Sequence, residues 1–245
     1  MADHPLYQRL FAGTQSDALL DFHDEVRARL APQTAMLDLG CGDMGQTTRY
    51  RTPARIVWGA DFKTHPNLNA PQWFRQLRSD GSIPFADASF DLVTCLWVFE
   101  HVRDPATFLA EIRRVLRPGG HLVALTPSTT HYIIGALRLL HFLPHARLQS
   151  LVKRLYRRPV HDTFRAWYRL NSARRLTYYG HAAGFDLIQL LRIPNQGYFY
   201  NWDPVHRAAI LTDWLLDHVD PALGRLYMLA TLRARSVAER RSTVA

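Results

Sequence analysis

Apolar positions along the chain follow two rhythms. From Pro5 to Leu30 they recur at helical spacing. Leu19, Leu20, Phe22, His23, Val26 and Leu30 alternate with Asp21, Asp24, Glu25, Arg27 and Arg29, and Pro32 closes the segment. The rhythm then changes to short apolar runs. Met36–Leu39, Arg55–Ala60, Trp73–Leu77 and Asp91–Trp97 each read as a buried strand, and polar or glycine-rich turns separate them. A helix is predicted over Pro105–Leu116, where Phe108, Leu109, Ile112, Val115 and Leu116 share one face, and a fifth strand over His121–Leu125. Strands alternating with helices predict a doubly wound, mostly parallel α/β sheet that binds its ligand at the carboxyl edge of the strands.

Past Ser128 the pattern departs from a plain alternation. His131–Leu143 is strongly apolar, Pro144 breaks it, and His145–Arg158 carries Leu148, Leu151, Val152 and Leu155 on one helical face among basic residues. Thr163–Tyr168 is aromatic. Asn171 and Ser172 offer an N-cap for a helix to about His181, Gly184 ends it, and Phe185–Ile193 reads as strand six. Gly197–Trp202 is the candidate for strand seven, and His206 to about Glu239 is helical in pattern. The expected organisation is one domain. Its core covers about 31–128 and 172–202, a helical insertion covers about 129–171, and C-terminal helices cover about 205–239.

The stretch Met36–Gly45, MLDLGCGDMG, is the chemical centre of the pattern. Glycine lets the backbone turn tightly and lets a ligand approach its N–H groups. Two cofactor readings compete here. Gly40-Cys41-Gly42-Asp43-Met44-Gly45 fits G-x-G-x-x-G, with Asp61 about twenty residues on, as a dinucleotide site requires. Against this, Asp38 at the strand end would repel a pyrophosphate and suits a cationic amino acid group. Asp61, at the end of the second strand, could accept hydrogen bonds from both ribose hydroxyls under either reading. Phe62 beside it could lie against an adenine ring. Lys63–Pro71 is rich in proline and asparagine and predicts a short or broken helix.

Later segments decide between the two. Leu37-Asp38-Leu39-Gly40-Cys41-Gly42 resembles motif I of the class I S-adenosylmethionine (SAM) methyltransferases, with Met44 standing where a third glycine is usual. Asp80-Gly81-Ser82-Ile83-Pro84-Phe85-Ala86-Asp87-Ala88-Ser89-Phe90-Asp91-Leu92-Val93 is similar to the D-x-x-x-L-P-F-x-D-x-S-F-D-x-V pattern of the ubiquinone- and biotin-biosynthesis type of that family. Glu100-His101-Val102 resembles its strand-four exit, and Arg113–Gly120 its R-V-L-K-P-G-G turn. The resemblance implies SAM as cofactor, with S-adenosylhomocysteine as product and no metal. It implies Asp38, Gly40 and Gly42 near the methionine portion, Asp61 at the ribose and Asp80 and Gly81 at the adenine. The Leu96 backbone would then meet the amino acid end. Met44 is expected to narrow the turn. Methyl transfer asks mainly for alignment, with a base to deprotonate the acceptor where needed. His101 at the strand-four exit is the first candidate, and His131, Tyr132, His161 and Tyr168 in the insertion could face the acceptor.

Charge adds a partner. The net charge is +9, and between Ser128 and Arg175 ten basic residues face a single acid, Asp162. A field focused on one segment points to an anionic partner. The expected acceptor is therefore small or lipid-linked, and anionic or amphiphilic. Residues 131–158 could lie on an anionic membrane surface. The alternatives are an RNA methyltransferase that uses the basic segment as a phosphate track, although no RNA-binding motif accompanies it, or a SAM-binding partner protein without turnover. Oligomeric state is not encoded legibly. No basic-then-apolar leader precedes the domain and no run reaches the roughly 20 apolar residues that span a bilayer. The expected location is the cytoplasm, with a peripheral position at the inner face of the membrane. Cys41 and Cys95 sit in apolar contexts and read as buried thiols.

Overall fold

The computed structural model describes residues 4–12, 17–139, 165–194 and 203–236. Seven strands form one sheet: β1 Met36–Leu39, β2 Val57–Asp61, β3 Phe74–Gln76, β4 Phe90–Leu96, β5 Leu116–Pro127, β6 Phe185–Ile193 and β7 Tyr227–Ala234. Their order is β3-β2-β1-β4-β5-β7-β6. β3, β2, β1, β4 and β5 run parallel, and β7 is antiparallel to both β5 and β6. This is the doubly wound, mostly parallel α/β sheet expected from the strand–helix alternation. The order reverses between β1 and β4, which is the switch point where such sheets bind ligands.

Side-chain alternation sorts the core into two layers. Leu37, Leu39, Val93, Cys95 and Leu122 face helix α3 (Pro105–Val115) and helix α5 (Ala173–Ala182), meeting Leu109, Ile112, Val115 and Leu176. Met36, Leu92, Val123 and Leu125 face helix α2 (Ala18–Arg27), which buries Phe22 and Val26 against them. Asp38 and Thr94 are register partners on this second face, so the acid points under α2 at the carboxyl edge. Local signals set the helix starts. Asp17, Asp104 and Ser172 each accept backbone N–H bonds as N-caps, worth about 1 kcal/mol apiece.

Four expectations need correcting. The segment Pro5–Leu30 is not one helix, because α1 (Pro5–Leu10) is separate and Asp17 begins α2 anew. Strand five is longer than His121–Leu125, since the R-P-G-G turn continues its extended path. Residues 206–239 are not all helical. Helix α6 (Asp203–Val219) and the short α7 (Pro221–Gly224) are followed by β7. Leucine spacing in 227–234 imitates a helix, but the strand is buried on both faces between β5 and β6, where a continuous apolar run is the rule. That run is the seventh strand, which the sequence reading assigned to Gly197–Trp202, a segment outside the described residues. After β5 the chain enters the insertion through helix α4 (Tyr132–Leu139). The expected helix His145–Arg158, together with His161, also lies outside the described residues. No described helix is long and apolar enough to cross a membrane.

Candidate active site

The glycine turn closes over the end of β2. The Gly40 and Cys41 N–H groups donate to the Ala60 carbonyl at 2.7 and 3.3 Å, and the Gly42 N–H donates to Asp61 Oδ2 at 3.0 Å. Gly40 has φ +78, and a Cβ there would lie 2.4 Å from Val98 Cγ2, so the strand-four exit presses directly on the turn. Gly42 and Gly81 face open space, and a Cβ at either would meet nothing within 4 Å. The Asp61 carboxylate is half-buried, and the exposed Phe62 ring follows it.

Asp38 plays a different part. Its oxygens accept hydrogen bonds from the Thr47 and Thr94 hydroxyls, which tie the turn and β4 to β1. Burial pushes its carboxyl above the usual carboxylate range, the two hydroxyls pull it back, and the nearby Asp61 charge pushes it further up. Asp38 thus anchors the turn from beneath. Burial, and then the Asp38, Asp61 and Asp43 charges, also push the Cys41 thiol far up, so the turn is ringed by carboxylates.

Met44 does not narrow the turn. It takes the left-handed conformation of the expected glycine, φ +66, but its side chain is fully buried beneath the turn with Cys41, Ala70 and Phe74. Gly59 of β2 makes the room. A Cβ at Gly59 would meet Cys41 Sγ at 2.8 Å and Met44 Cε at 2.9 Å. The side chain missing from β2 balances the one added at Met44.

These features discriminate between the two cofactor classes. The dinucleotide fingerprint sets the pyrophosphate on a helix N-terminus behind the glycines. Here the turn leads only into a four-residue 3-10 helix, Thr47–Tyr50. A ring of acids with no helix dipole fits a cationic sulfonium and ammonium and repels a diphosphate. Asp80 forms a tight turn, its Oδ1 accepting the Ser82 N–H at 2.8 Å, and that bond holds its carboxyl below the usual range. Gly81 follows at φ +86. A depression lined by Arg78, Ser82, Ile83, Glu111 and Arg114 lies nearby but shares no residue with the glycine turn.

The other half of the edge lies at the exits of β4 and β5. Leu96 ends β4, and Trp97 follows at φ +58 with its N–H on the Leu125 carbonyl and its ring 4.9 Å from Tyr227. Met44, Trp97 and Tyr168, at φ +50, are non-glycine residues held in the left-handed region around this edge. His101 lies in the 3-10 helix Phe99–His101, with Nδ1 3.1 Å from the Arg165 carbonyl. A carbonyl only accepts, so Nδ1 carries the proton of that bond. The Trp167 and Tyr168 N–H groups donate to the Glu100 carbonyl at 2.6 and 3.0 Å. The Asn171 amide donates to Thr126 Oγ1 at 2.6 Å, and Thr126 donates to Glu100 Oε2 at 2.9 Å. Burial raises the Glu100 carboxyl, and neighbouring His101 opposes it.

The sequence candidates therefore separate. Gly40, Gly42, Asp61 and Phe62 come together with Asp38 beneath them, while the bonds of Asp80 run to its own turn at Ser82. Leu96 and His101 stand on the adjoining half. His131 is fully buried, Nε2 facing Asp213 of α6 at 3.2 Å and its ring stacked on Tyr132. It joins the insertion to α6 and does not open onto the edge. Sequence reading missed Thr47, Thr94, Thr126 and Asn171. It also missed the buried pair His23 and Tyr50 beneath α2, linked through Nδ1 and the phenol. Among the described residues, no three of His, Cys, Asp and Glu are grouped as metal ligands.

Residues 37–124 match the family described as methyltransferase domain. Over those residues the chain is similar to SAM-dependent methyltransferases. Over 142 residues it is 37% identical to a ubiquinone biosynthesis O-methyltransferase of Hahella chejuensis, covering 51% of this chain and 58% of that protein. Over 129 residues it is 33% identical to a ubiquinone/menaquinone biosynthesis C-methyltransferase of Geotalea daltonii, covering 47% and 54%. The chain thus spans about half the length of the curated relatives it matches. A Burkholderia thailandensis 1,6-didemethyltoxoflavin-N1-methyltransferase, solved with its acceptor and S-adenosylhomocysteine, superposes with a TM-score of 0.55 at 20% identity, covering 92% of this chain and 81% of that one. That likeness is one of fold. These three proteins are named for oxygen, carbon and nitrogen methylation, so the acceptor must be argued from the site.

Proposed function

We propose that this chain is a SAM-dependent methyltransferase acting on a small or lipid-linked acceptor of anionic or amphiphilic character. The observation that carries the proposal is the Asp61 carboxylate beside the Gly42 amide over an open glycine turn, ringed by acids and without a helix N-terminus. When bound, SAM supplies a methyl group on a cationic sulfur and leaves as S-adenosylhomocysteine. Asp61 holds the ribose hydroxyls, Phe62 and the Asp80–Gly81 turn flank the adenine, and Gly40, Gly42 and the Leu96 backbone receive the methionine end. Asp38 keeps the turn in place through Thr47 and lends negative potential to a cationic ligand. The Trp167–Asn171 return covers the β4 and β5 exits, holding water away and orienting the acceptor against the methyl position. With Nδ1 protonated toward Arg165, His101 in its neutral form carries its lone pair on Nε2, the nitrogen that takes the acceptor's proton where the nucleophile must lose one. Asp61, not the distant histidine, makes the cofactor claim testable. Calorimetric titration with S-adenosylhomocysteine should give saturable binding that Asp61→Ala weakens about 100-fold, in keeping with loss of a charge-assisted pair of hydrogen bonds. NAD should not bind. Binding of NAD in place of the sulfur compound would sink the proposal. Tight binding without methylation of any cell extract would favour a partner protein that keeps the pocket without turnover.

A further inference from the structure

Three guanidinium groups surround one indole at the acceptor half of the edge. Arg165 Cζ lies 4.1 Å from the Trp167 ring centre, and Arg103 and Arg169 each lie at 5.6 Å. Elsewhere the pairing is one to one, as in Arg51 on Trp73 and Arg75 on Trp58. Arg103 comes from the β4 exit and the other two from the end of the insertion, where the chain returns to the sheet. Two bonds fix them together: the Arg169 guanidinium Nη1 donates to the Arg103 carbonyl at 2.8 Å, and the Trp167 N–H donates to the Glu100 carbonyl. All three are exposed, and among the described residues none has a carboxylate within ion-pair distance. Asp104, next to Arg103 in sequence, is the N-cap of α3 and feels the Arg169 charge, and Asp162, three residues before Arg165, lies outside the described residues.

Energetically this cluster is unfinished. A cation on a surface indole gains about 0.5–1 kcal/mol. Two exposed unit charges roughly 6 Å apart repel by a similar amount in water. Attraction to the ring therefore offsets the crowding, and among the described residues the Asp104 charge answers only part of it, at Arg169, so the three cations keep a net positive charge. The rigid forks of arginine suit an oxyanion with several equivalent oxygens, and three unit charges match a dianion better than a single carboxylate. We infer that Arg103, Arg165 and Arg169 form a subsite for the phosphate group of a phosphate-bearing methyl acceptor, beside His101. This rests on the reading above that the carboxyl edge receives the acceptor. Trp167 serves as the spacer that holds the three guanidinia apart and oriented.

The test uses the full chain and two phosphate probes. Pyrophosphate is titrated calorimetrically into the wild type, the double variant Arg103→Gln/Arg165→Gln, the charge-keeping Arg165→Lys, and Arg27→Gln as a control on the far helix α2. Expected are saturable binding to the wild type and to Arg27→Gln, a loss of at least tenfold in the double variant, and a smaller loss in Arg165→Lys. Phosphatidylcholine vesicles with and without phosphatidic acid are then offered in competition. Displacement of pyrophosphate only by the phosphatidic acid vesicles makes a lipid headgroup the source of the phosphate, and no displacement makes it a soluble phosphate ester. Pyrophosphate binding that is absent, or equal in the wild type and the double variant, overturns the inference. S-adenosylhomocysteine binding measured on the same samples reports folding and keeps the two claims apart. If it persists while the arginines prove irrelevant, only the subsite falls. If it is absent while the arginines hold pyrophosphate, the methyltransferase reading falls and with it the methyl-acceptor assignment, and the phosphate site alone stands.

Discussion

The two halves of the carboxyl edge are assembled by opposite means. The cofactor half is local. Gly40, Gly42 and Asp61 lie within about two strands of each other in sequence, and the bonds that shape them are backbone to backbone or backbone to carboxylate. The acceptor half is stitched from distant chain. Asn171 reaches Thr126 across 45 residues, His101 meets Arg165 across 64 and Arg169 meets Arg103 across 66. The difference teaches where change is tolerated. A half made of backbone and glycine accepts almost no substitution. A half made by the return of an insertion can change its ligand when the insertion changes, and leave the cofactor half alone.

The largest effect should come from breaking the contact between the halves. Gly40→Ala places a Cβ against Val98 at a left-handed backbone position. Overpacking costs about 1–3 kcal/mol and the backbone strain adds about 1 kcal/mol. The turn must shift, and S-adenosylhomocysteine affinity should fall by about two orders of magnitude, with a clear drop in melting temperature. Adding Val98→Ala should recover most of the melting temperature but little of the affinity, because the strain at residue 40 remains. Wild-type affinity in Gly40→Ala would show that the turn does not touch the cofactor.

A smaller effect should separate the halves. Asn171→Ala removes the donor to Thr126 Oγ1 and to the Pro127 carbonyl, at 2.6 and 3.0 Å in a fully buried setting. The cost should be about 1–3 kcal/mol of stability. Because the lost bonds anchor only the returning strand, S-adenosylhomocysteine should bind within threefold of wild type while turnover drops. An equal loss of cofactor affinity would mean that the two halves move as one.

That division also marks what the sequence could and could not disclose. Strands β1, β4 and β6, helix α3 and the glycine turn were legible because each is specified by neighbours within a dozen residues. The local placement of Asp61 at the end of β2 and of Asp80 in a tight turn was legible for the same reason. β7 was missed because a strand buried on both faces loses its alternation, and leucine spacing then mimics a helix. Met44 looked like a defect because its compensation is Gly59, fifteen residues away on another strand. The roles of Thr94, Thr126 and Asn171 depend on sheet register and on the return of the insertion. No local pattern carries either, and the arginine cluster around Trp167 shares that origin.

The smallest effect concerns helix α2, which covers the cofactor half from the Asp38 side. His23 is buried there against the Tyr50 phenol, and its Nε2 has no hydrogen-bond partner. Burial first, then the Arg49 and Arg27 charges, hold its pKa below the ordinary histidine value of 6.5, so the folded protein keeps it neutral. The unfolded chain takes up its proton near that ordinary value, and the folded chain only at lower pH. Between the two the unfolded state binds more protons, so stability falls as pH drops from about 6.5 toward the folded value. His121, lowered by burial and by Arg29, contributes in the same direction, while the raised carboxyls of Asp38 and Glu100 oppose it. The net curve alone therefore decides nothing, and the difference between wild type and His23→Gln does. Glutamine keeps a polar end for the phenol and cannot titrate. Melting temperatures from about pH 7.5 to about pH 5 should show the wild type losing more than the variant, with the divergence beginning just below 6.5. Parallel curves would mean that His23 protonates as readily in the folded chain as in the unfolded one, and that α2 admits water to the Asp38 side of the turn.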